Sequence, residues 1–169
     1  MRNVACPYKL AVVQSTDLDL PVLVSLTGPA VSQLVLEHIH NAGHRGVKAS
    51  HGYVIQRLIQ EEPTIGALAV SLGMTQQGAS KQVNDLESLG FVERVSDERD
   101  GRIRYVRLTK AGWSVLEAGR QARADLERAL VARVGEQDVL AAKRTLVALL
   151  ELTGLADQIS TRTVPLPEG

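Results

Sequence analysis

The sequence predicts a mainly α-helical fold with one small β-hairpin, an α+β fold in which the helices dominate. Apolar residues recur at intervals of three and four along most of the chain, which is the spacing of one helix face. Residues 91–95 and 103–108 instead alternate apolar and polar side chains, as half-buried strands do. The charged segment 97–102 between them contains an Asp-Gly pair, which is typical of a turn.

The composition is that of a globular protein with an aliphatic core. Aromatic residues make up only 3% of the 169, so the core has to be built from Leu, Val, Ile and Ala. A single cysteine, Cys6, excludes an intramolecular disulfide and fits a reducing compartment. Because there is no signal-peptide pattern and no apolar run of about 18–20 residues, we expect a cytoplasmic protein without a membrane span.

The first helix is expected to begin at Asp19 and Pro21, a capping residue followed by a proline in the first turn, and to run to Asn41. A Gly-Pro pair at residues 28–29 falls in its middle. Proline lacks the N–H of a helical hydrogen bond, so the helix is either kinked there or begins only at Thr27.

Three shorter helices are predicted next, over residues 48–60, 65–72 and 76–89, the last two capped by Thr64 and Thr75. The two predicted strands follow.

Beyond the strands, a fifth helix is expected from Thr109 to about Val134, with Trp113 and Leu116 on its inward stripe. A sixth covers residues 136–152.

The order of the central elements, helix, turn, helix and hairpin, is that of a winged helix-turn-helix, whose second helix enters the DNA major groove. In this chain that helix spans residues 76–89, and its first turns carry polar side chains able to pair with bases or phosphates. The candidate DNA-binding residues there are Thr75, Gln76, Gln77, Ser80 and Lys81. The alternative is an ordinary solvated helix face.

The hairpin offers a second set of cationic groups, although the formal net charge of the chain is zero. Arg99 and Arg102 at its tip are expected to reach the minor groove, whose negative potential attracts arginine, with Asp100 organising the loop. Arginines on the strands are expected to contact phosphates or, alternatively, only to solvate a strand face. They are Arg94, Arg104 and Arg107.

Residues 64–112 resemble the DNA-binding core of the MarR (multiple antibiotic resistance regulator) family. The resemblance lies in the order and spacing of the helix segment 80–90, the strand 91–94, the Asp-Gly-Arg tip at 100–102 and the segment 108–112. With the flanking helices it covers roughly residues 20–152. The family usually carries Asp-Arg-Arg at the tip, so Gly101 departs from the pattern and Arg99 is the candidate replacement.

The resemblance implies a homodimer on a pseudo-palindromic double-stranded DNA operator, with helices near both chain ends interlocked between two copies. The apolar stripes of the first and last helices lie outside the central region and independently need a partner. The resemblance also implies a small aromatic or anionic effector between the dimer helices and the winged region. Tyr53, His51 and Trp113 are the candidate pocket residues, and the alternative for Tyr53 and Trp113 is a role in packing alone.

The chain is therefore expected to have four parts. They are an N-terminal arm (1–18, disordered or a strand), a helical dimerisation region (19–46 and 109–152), a winged helix-turn-helix DNA-binding domain (47–108) and a C-terminal tail (153–169).

Other chemistry is less well supported by the residues. There is no catalytic constellation, phosphate-binding loop or cofactor motif, so we expect neither an enzyme nor a cofactor. Four histidines lie between residues 38 and 51, and His40 and His44 have the spacing of a helical metal pair. Without a nearby cysteine and with few carboxylates, we expect no metal. Cys6 could act as a redox sensor, but its uncharged neighbours do not favour a reactive thiolate.

These patterns predict a DNA-binding transcriptional regulator, a homodimeric repressor that blocks a promoter and leaves it when a ligand changes the spacing of its two reading helices. Two alternatives stay open. A winged-helix protein-interaction module without DNA binding is favoured by the zero net charge and by Gly101. A metal- or thiol-switched regulator would use the histidines or Cys6.

Overall fold

Six helices and one antiparallel hairpin make up the part of the chain that the computed structural model describes, residue 14 and residues 17–156. The helices are α1 (Leu20–Asn41), α2 (Ala49–Arg57), α3 (Ile65–Ser71), α4 (Gln76–Ser88), α5 (Lys110–Val134) and α6 (Glu136–Leu152), and the strands are β1 (Val92–Ser96) and β2 (Arg104–Leu108). The predicted mainly helical fold with a hairpin wing is confirmed. Most of the expected arm and tail, and Cys6 with them, lie outside the described residues.

Helix α1 begins where its capping residue predicts, because the carboxylate of Asp19 accepts a hydrogen bond of 3.0 Å from the backbone N–H of Val22. It then continues through Pro29, so the alternative start at Thr27 is wrong. Proline removes the donor that the carbonyl of Ser25 would have used, and that stretch of α1 is exposed to solvent. Exposure makes the missing bond tolerable.

Helix α1 also has the length and composition of a membrane span, with 22 residues and a mean hydropathy of 1.4 over an 18-residue window. The expectation that no segment reaches this range therefore does not hold on length and composition alone. Its Ser, Thr, Gly and Pro residues interrupt the apolar run without lowering the average much, and Glu37 is its single Asp, Glu, Lys or Arg. A helix that buries an apolar face against another protein chain has the same composition.

The hydrophobic core lies between α2, α3, α4 and the hairpin and extends to the facing sides of α1 and α5. Helix α4 contributes Ala79, Val83 and Leu86, which are all fully buried and follow the spacing of three and four residues expected of one helix face. The opposite face of α4 is left to solvent.

The hairpin β1–β2, together with its tip, is called the wing (residues 92–108). Its register pairs Val92 with Leu108 and Ser96 with Arg104. The backbone N–H of Val106 also donates to the carbonyl of Pro63 over 2.9 Å, which fixes β2 against the segment before α3. The wing is therefore attached to the body of the protein through β2.

The start of helix α5 packs closely against the backbone of the residues just before the wing. The hydroxyl of Thr109 accepts from the N–H of Gly112 over 3.1 Å and donates to the carbonyl of Gly90 over 2.6 Å. A Cβ atom at Gly112 would lie 2.0 Å from the carbonyl oxygen of Phe91. Only glycine fits there, because the obstacle is backbone rather than a movable side chain.

The inward stripe predicted for α5 is partly wrong. Leu116 is buried, but Trp113 and Leu130 are each 45% exposed. The buried face of α5 is centred on Val115 and Gly119, and at about 100° per residue Trp113 falls on another side of the helix. Leu130 is exposed because the second half of α5 extends beyond the core.

Candidate nucleic-acid interface

Helix α4 begins with a side-chain cap and a sharp turn. Gly73, in the left-handed region at φ 62°, ends the chain segment that leaves α3. Two residues later the hydroxyl of Thr75 accepts from the N–H of Gly78 over 3.1 Å and starts α4. This short connection turns the first residues of α4 away from the core.

The predicted reading face of α4 is open to solvent. Gln76, Gln77 and Lys81 are exposed and Ser80 is half-buried, whereas Ala79, on the other face, is buried. The capping residue Thr75 is itself exposed. The structure therefore brings the five predicted residues of this helix together on its outer side and first turns. Their contact with DNA stays a prediction.

The tip of the wing is organised by Asp97, which the sequence analysis did not single out. Its carboxylate accepts hydrogen bonds from the backbone N–H groups of Arg99 at 2.7 Å and Asp100 at 2.9 Å, and from the hydroxyl of Tyr105. The bond from Asp100, followed by that from Arg99, lowers the pKa of Asp97 below its ordinary value. The same carboxylate raises the pKa of Tyr105.

Asp100 also contributes to the tip, by accepting a 3.0 Å hydrogen bond from the backbone N–H of Arg102. It therefore shapes the turn through the backbone and leaves the guanidinium of Arg102 to solvent. Arg99 and Arg104 are exposed as well. Among the described residues none of these three arginine side chains has a hydrogen-bonding or ionic partner, so the wing presents three cations outward.

The other two strand arginines are engaged within the protein. Arg94 donates to Glu87, and over 2.6 Å to the side-chain oxygen of Asn84, and its side chain is only 19% exposed. Arg107 pairs across the hairpin with Glu93 at 2.8 Å. Arg94 thus holds β1 against α4.

A cavity of about 720 Å³ lies between α1, α2 and α5. Tyr53 lines it, as predicted for the effector pocket, together with the apolar Val35 and Val115 and the cationic Arg123. The other two predicted pocket residues are placed elsewhere. Trp113 faces solvent, and His51 is fully buried against α4 rather than facing the cavity.

The histidines between residues 38 and 51 do not converge. The Nε2 atom of His40 lies 2.8 Å from the carbonyl of Val47, and that of His44 lies 3.1 Å from the hydroxyl of Ser114. Within residues 17–156 no three His, Cys, Asp or Glu side chains are grouped as metal ligands would be.

Residues 45–103, which run from the segment before α2 to the wing tip, match the model of the MarR family. No curated protein sequence matches the chain. Several solved structures share its fold. The complex of MepR from S. aureus with DNA is 22% identical, covers 79% of this chain and 97% of that chain, and has a TM-score of 0.62.

Wild-type MarR from E. coli, in its apo form, is 21% identical, covers 79% of this chain and 98% of that chain, and has a TM-score of 0.60. S. aureus MepR bound to ethidium bromide is 20% identical, covers 82% of this chain and 99% of that chain, and has a TM-score of 0.57. At these identities the likeness establishes the fold. The chain therefore has the winged-helix fold of these proteins, and its segment 45–103 matches the model of the MarR family.

Proposed function

We propose that this protein is a DNA-binding transcriptional regulator that acts as a homodimer. The observation that carries the proposal is the two-sided character of α4. One side is fully buried at Ala79, Val83 and Leu86, and the other presents exposed amide and ammonium groups. Glutamine and lysine are side chains that pair with base edges and phosphates in the major groove.

The wing supports the same conclusion from a second element. Arg99, Arg102 and Arg104 extend from a loop whose backbone is held by Asp97 and Asp100. Cations on a narrow, ordered loop suit the minor groove next to the major-groove site. Gly101 carries no side chain where the family usually has a second arginine, and the exposed Arg99 provides a cation two residues earlier.

The homodimer is supported by apolar surface that a single copy leaves uncovered. Among the described residues, all but three of the exposed large apolar side chains lie on α1, the second half of α5 and α6. Helix α6 has no buried residue at all. A symmetric pair of chains that interlock these helices would cover them and set the distance between two α4 helices.

Repression and a response to a ligand are the finer part of the proposal. The cavity beside Tyr53 lies between the long helices and α2, so an occupant would act on the connection between the dimer helices and the winged region. MepR, a protein of the same fold, has been solved with ethidium bromide. Here a small aromatic or anionic ligand would favour a dimer geometry in which both α4 helices cannot dock at once.

The test is fluorescence anisotropy with labelled duplexes from the region upstream of the protein's own gene. We expect sequence-selective binding that weakens steeply as salt is added, because each phosphate contact releases counterions. Arg102→Ala should weaken binding by about tenfold or more, corresponding to about 1–3 kcal/mol for a lost DNA contact.

Arg120→Ala is the matched control, since Arg120 is an exposed arginine in the first half of α5, outside the wing and the proposed dimer surface, and loses the same charge. Its affinity should be close to that of the wild type. If the folded protein shows no sequence-selective binding at moderate salt, the DNA-binding proposal fails. A winged-helix protein-interaction module would then be the better reading of the wing.

A further inference from the structure

Helices α2 and α4 are joined by polar side chains that the proposed DNA contacts do not use. The ammonium group of Lys48, just before α2, lies 2.7 Å from the carboxylate of Asp85 in α4. Next to this ion pair, the hydroxyl of Ser50 in α2 donates to the side-chain oxygen of Gln82 in α4 over 3.2 Å. We call these four residues, with His51, the α2–α4 seam.

His51 lies beneath the ion pair with no solvent exposure. Its Nδ1 atom accepts from the backbone N–H of Lys48 over 3.2 Å, which assigns the proton of the neutral ring to Nε2. That Nε2 group has no hydrogen-bond partner among the described residues and lies 3.9 Å from the carboxylate of Asp85. The negative charge of Asp85 therefore faces two groups at the start of α2, the exposed ammonium of Lys48 and the buried ring of His51.

The seam connects the proposed reading helix with the cavity. Asp85 lies four residues after Lys81, one helical turn along α4. Lys48 contributes both to the ion pair and to the wall of the cavity between α1, α2 and α5. A rotation of α4 that moves Asp85 away from the start of α2 would break the contact between Lys48 and Asp85.

We propose that Asp85 is a positioning residue for DNA recognition, because its carboxylate, held by Lys48 above His51, fixes the orientation of α4 against α2. This inference rests on the proposed function. Folding stability is not its main role, since the side chains of Lys48 and Asp85 are 62% and 34% exposed and ion pairs this exposed add little to stability.

The substitution Asp85→Asn separates positioning from simple electrostatics. Removing a negative charge from a helix that faces DNA would by itself tighten binding. Loss of positioning has the opposite sign, and we expect binding of the upstream duplex to weaken by about tenfold, the size of one interaction between contacting residues, with little change in melting temperature. Glu98→Gln removes an exposed wing carboxylate that has no hydrogen-bond partner among the described residues, and it should leave binding unchanged or tighter.

A double-mutant cycle assigns the effect to the pair. If Lys48 acts through Asp85, the double variant Lys48→Met/Asp85→Asn should bind the duplex no less tightly than the single variant with the lower affinity. The conservative variant Lys48→Arg should keep most of the wild-type affinity. Full additivity of the two single effects, or equal or tighter binding by Asp85→Asn, would overturn the proposal while leaving the proposed function intact.

A measurement without DNA keeps the two proposals distinguishable. Amide hydrogen exchange of the wild type and Asp85→Asn should differ in α4, with faster exchange in the variant, and should be the same in α6. If the wild type binds no DNA, the proposed function fails on its own. Unchanged exchange in α4 would then overturn the positioning role as well.

Discussion

His51 is a titratable side chain without access to solvent. Burial, followed by the positive charge of Lys48, lowers its pKa below the ordinary value of 6.5, and the carboxylate of Asp85 partly opposes that shift. In the unfolded chain the ring titrates normally. Below about pH 6.5 the unfolded state therefore takes up a proton that the folded state does not, and stability decreases until the folded ring is itself protonated.

The variant His51→Gln isolates this contribution, because glutamine at the third helical position can still accept from the backbone N–H of residue 48 but does not titrate. We expect the free energy of unfolding of the wild type to fall between about pH 7 and 5 more steeply than that of the variant. The extra slope is at most about 1.4 kcal/mol per pH unit, the value for one proton. Urea unfolding at several pH values measures both slopes, and parallel slopes would contradict the assigned burial of a neutral ring.

At the scale of single elements, the starts of the helices follow from local sequence. Thr64, Thr75 and Thr109 each accept a hydrogen bond from the backbone N–H three residues later, and α3, α4 and α5 begin at the next residue in each case. Such bonds involve only a four-residue segment. The sequence alone is therefore enough to predict them, and the alternation of apolar residues locates the strands to within one residue.

Sequence alone could not predict which of the site's side chains are free to contact DNA. In the sequence Arg94 and Arg102 are equally good candidates for a DNA contact. In the structure, however, the side chain of Arg94 donates hydrogen bonds to Glu87 and Asn84 of α4. The pairing depends on how β1 packs on α4, which no local pattern encodes. By contrast, Asp97 accepts from the backbone N–H groups two and three residues later, a local turn pattern that the sequence could have indicated. Sequence patterns predicted the elements of the site, whereas contacts between elements decide which cations are presented.

The wing provides a prediction at this scale. Asp97→Ala removes the acceptor for the backbone N–H groups of Arg99 and Asp100, so the tip should lose its fixed shape. We expect faster amide exchange at the tip and about three- to tenfold weaker DNA binding, the cost of one or two weakened contacts. Glu98→Ala makes the same change of charge one residue away and should have neither effect. Equal behaviour of the two variants would show that charge, rather than loop order, governs the wing.

At the scale of the whole molecule, the distribution of apolar surface differs between its two regions. The winged region closes its own core around Leu68, Leu86 and Val106, which are fully buried. By contrast, the long helices leave Leu26, 60% exposed, and Leu146, 43% exposed, in contact with solvent. Exposed apolar surface on this scale is typical of an interface.

The final prediction therefore concerns mass. Sedimentation equilibrium of the wild type should give twice the chain mass of 18.3 kDa, and Leu146→Glu should shift the equilibrium toward the single chain because a carboxylate would have to be buried unpaired. The matched control is Val70→Glu, a change of the same kind at a residue of α3 that is 84% exposed and lies outside the long helices. It should stay dimeric.

Dissociation should also abolish sequence-selective DNA binding, since one copy carries only one α4 helix. A wild type that sediments as a single chain at micromolar concentration would contradict the proposed homodimer, because a covered interface of three helices would persist there.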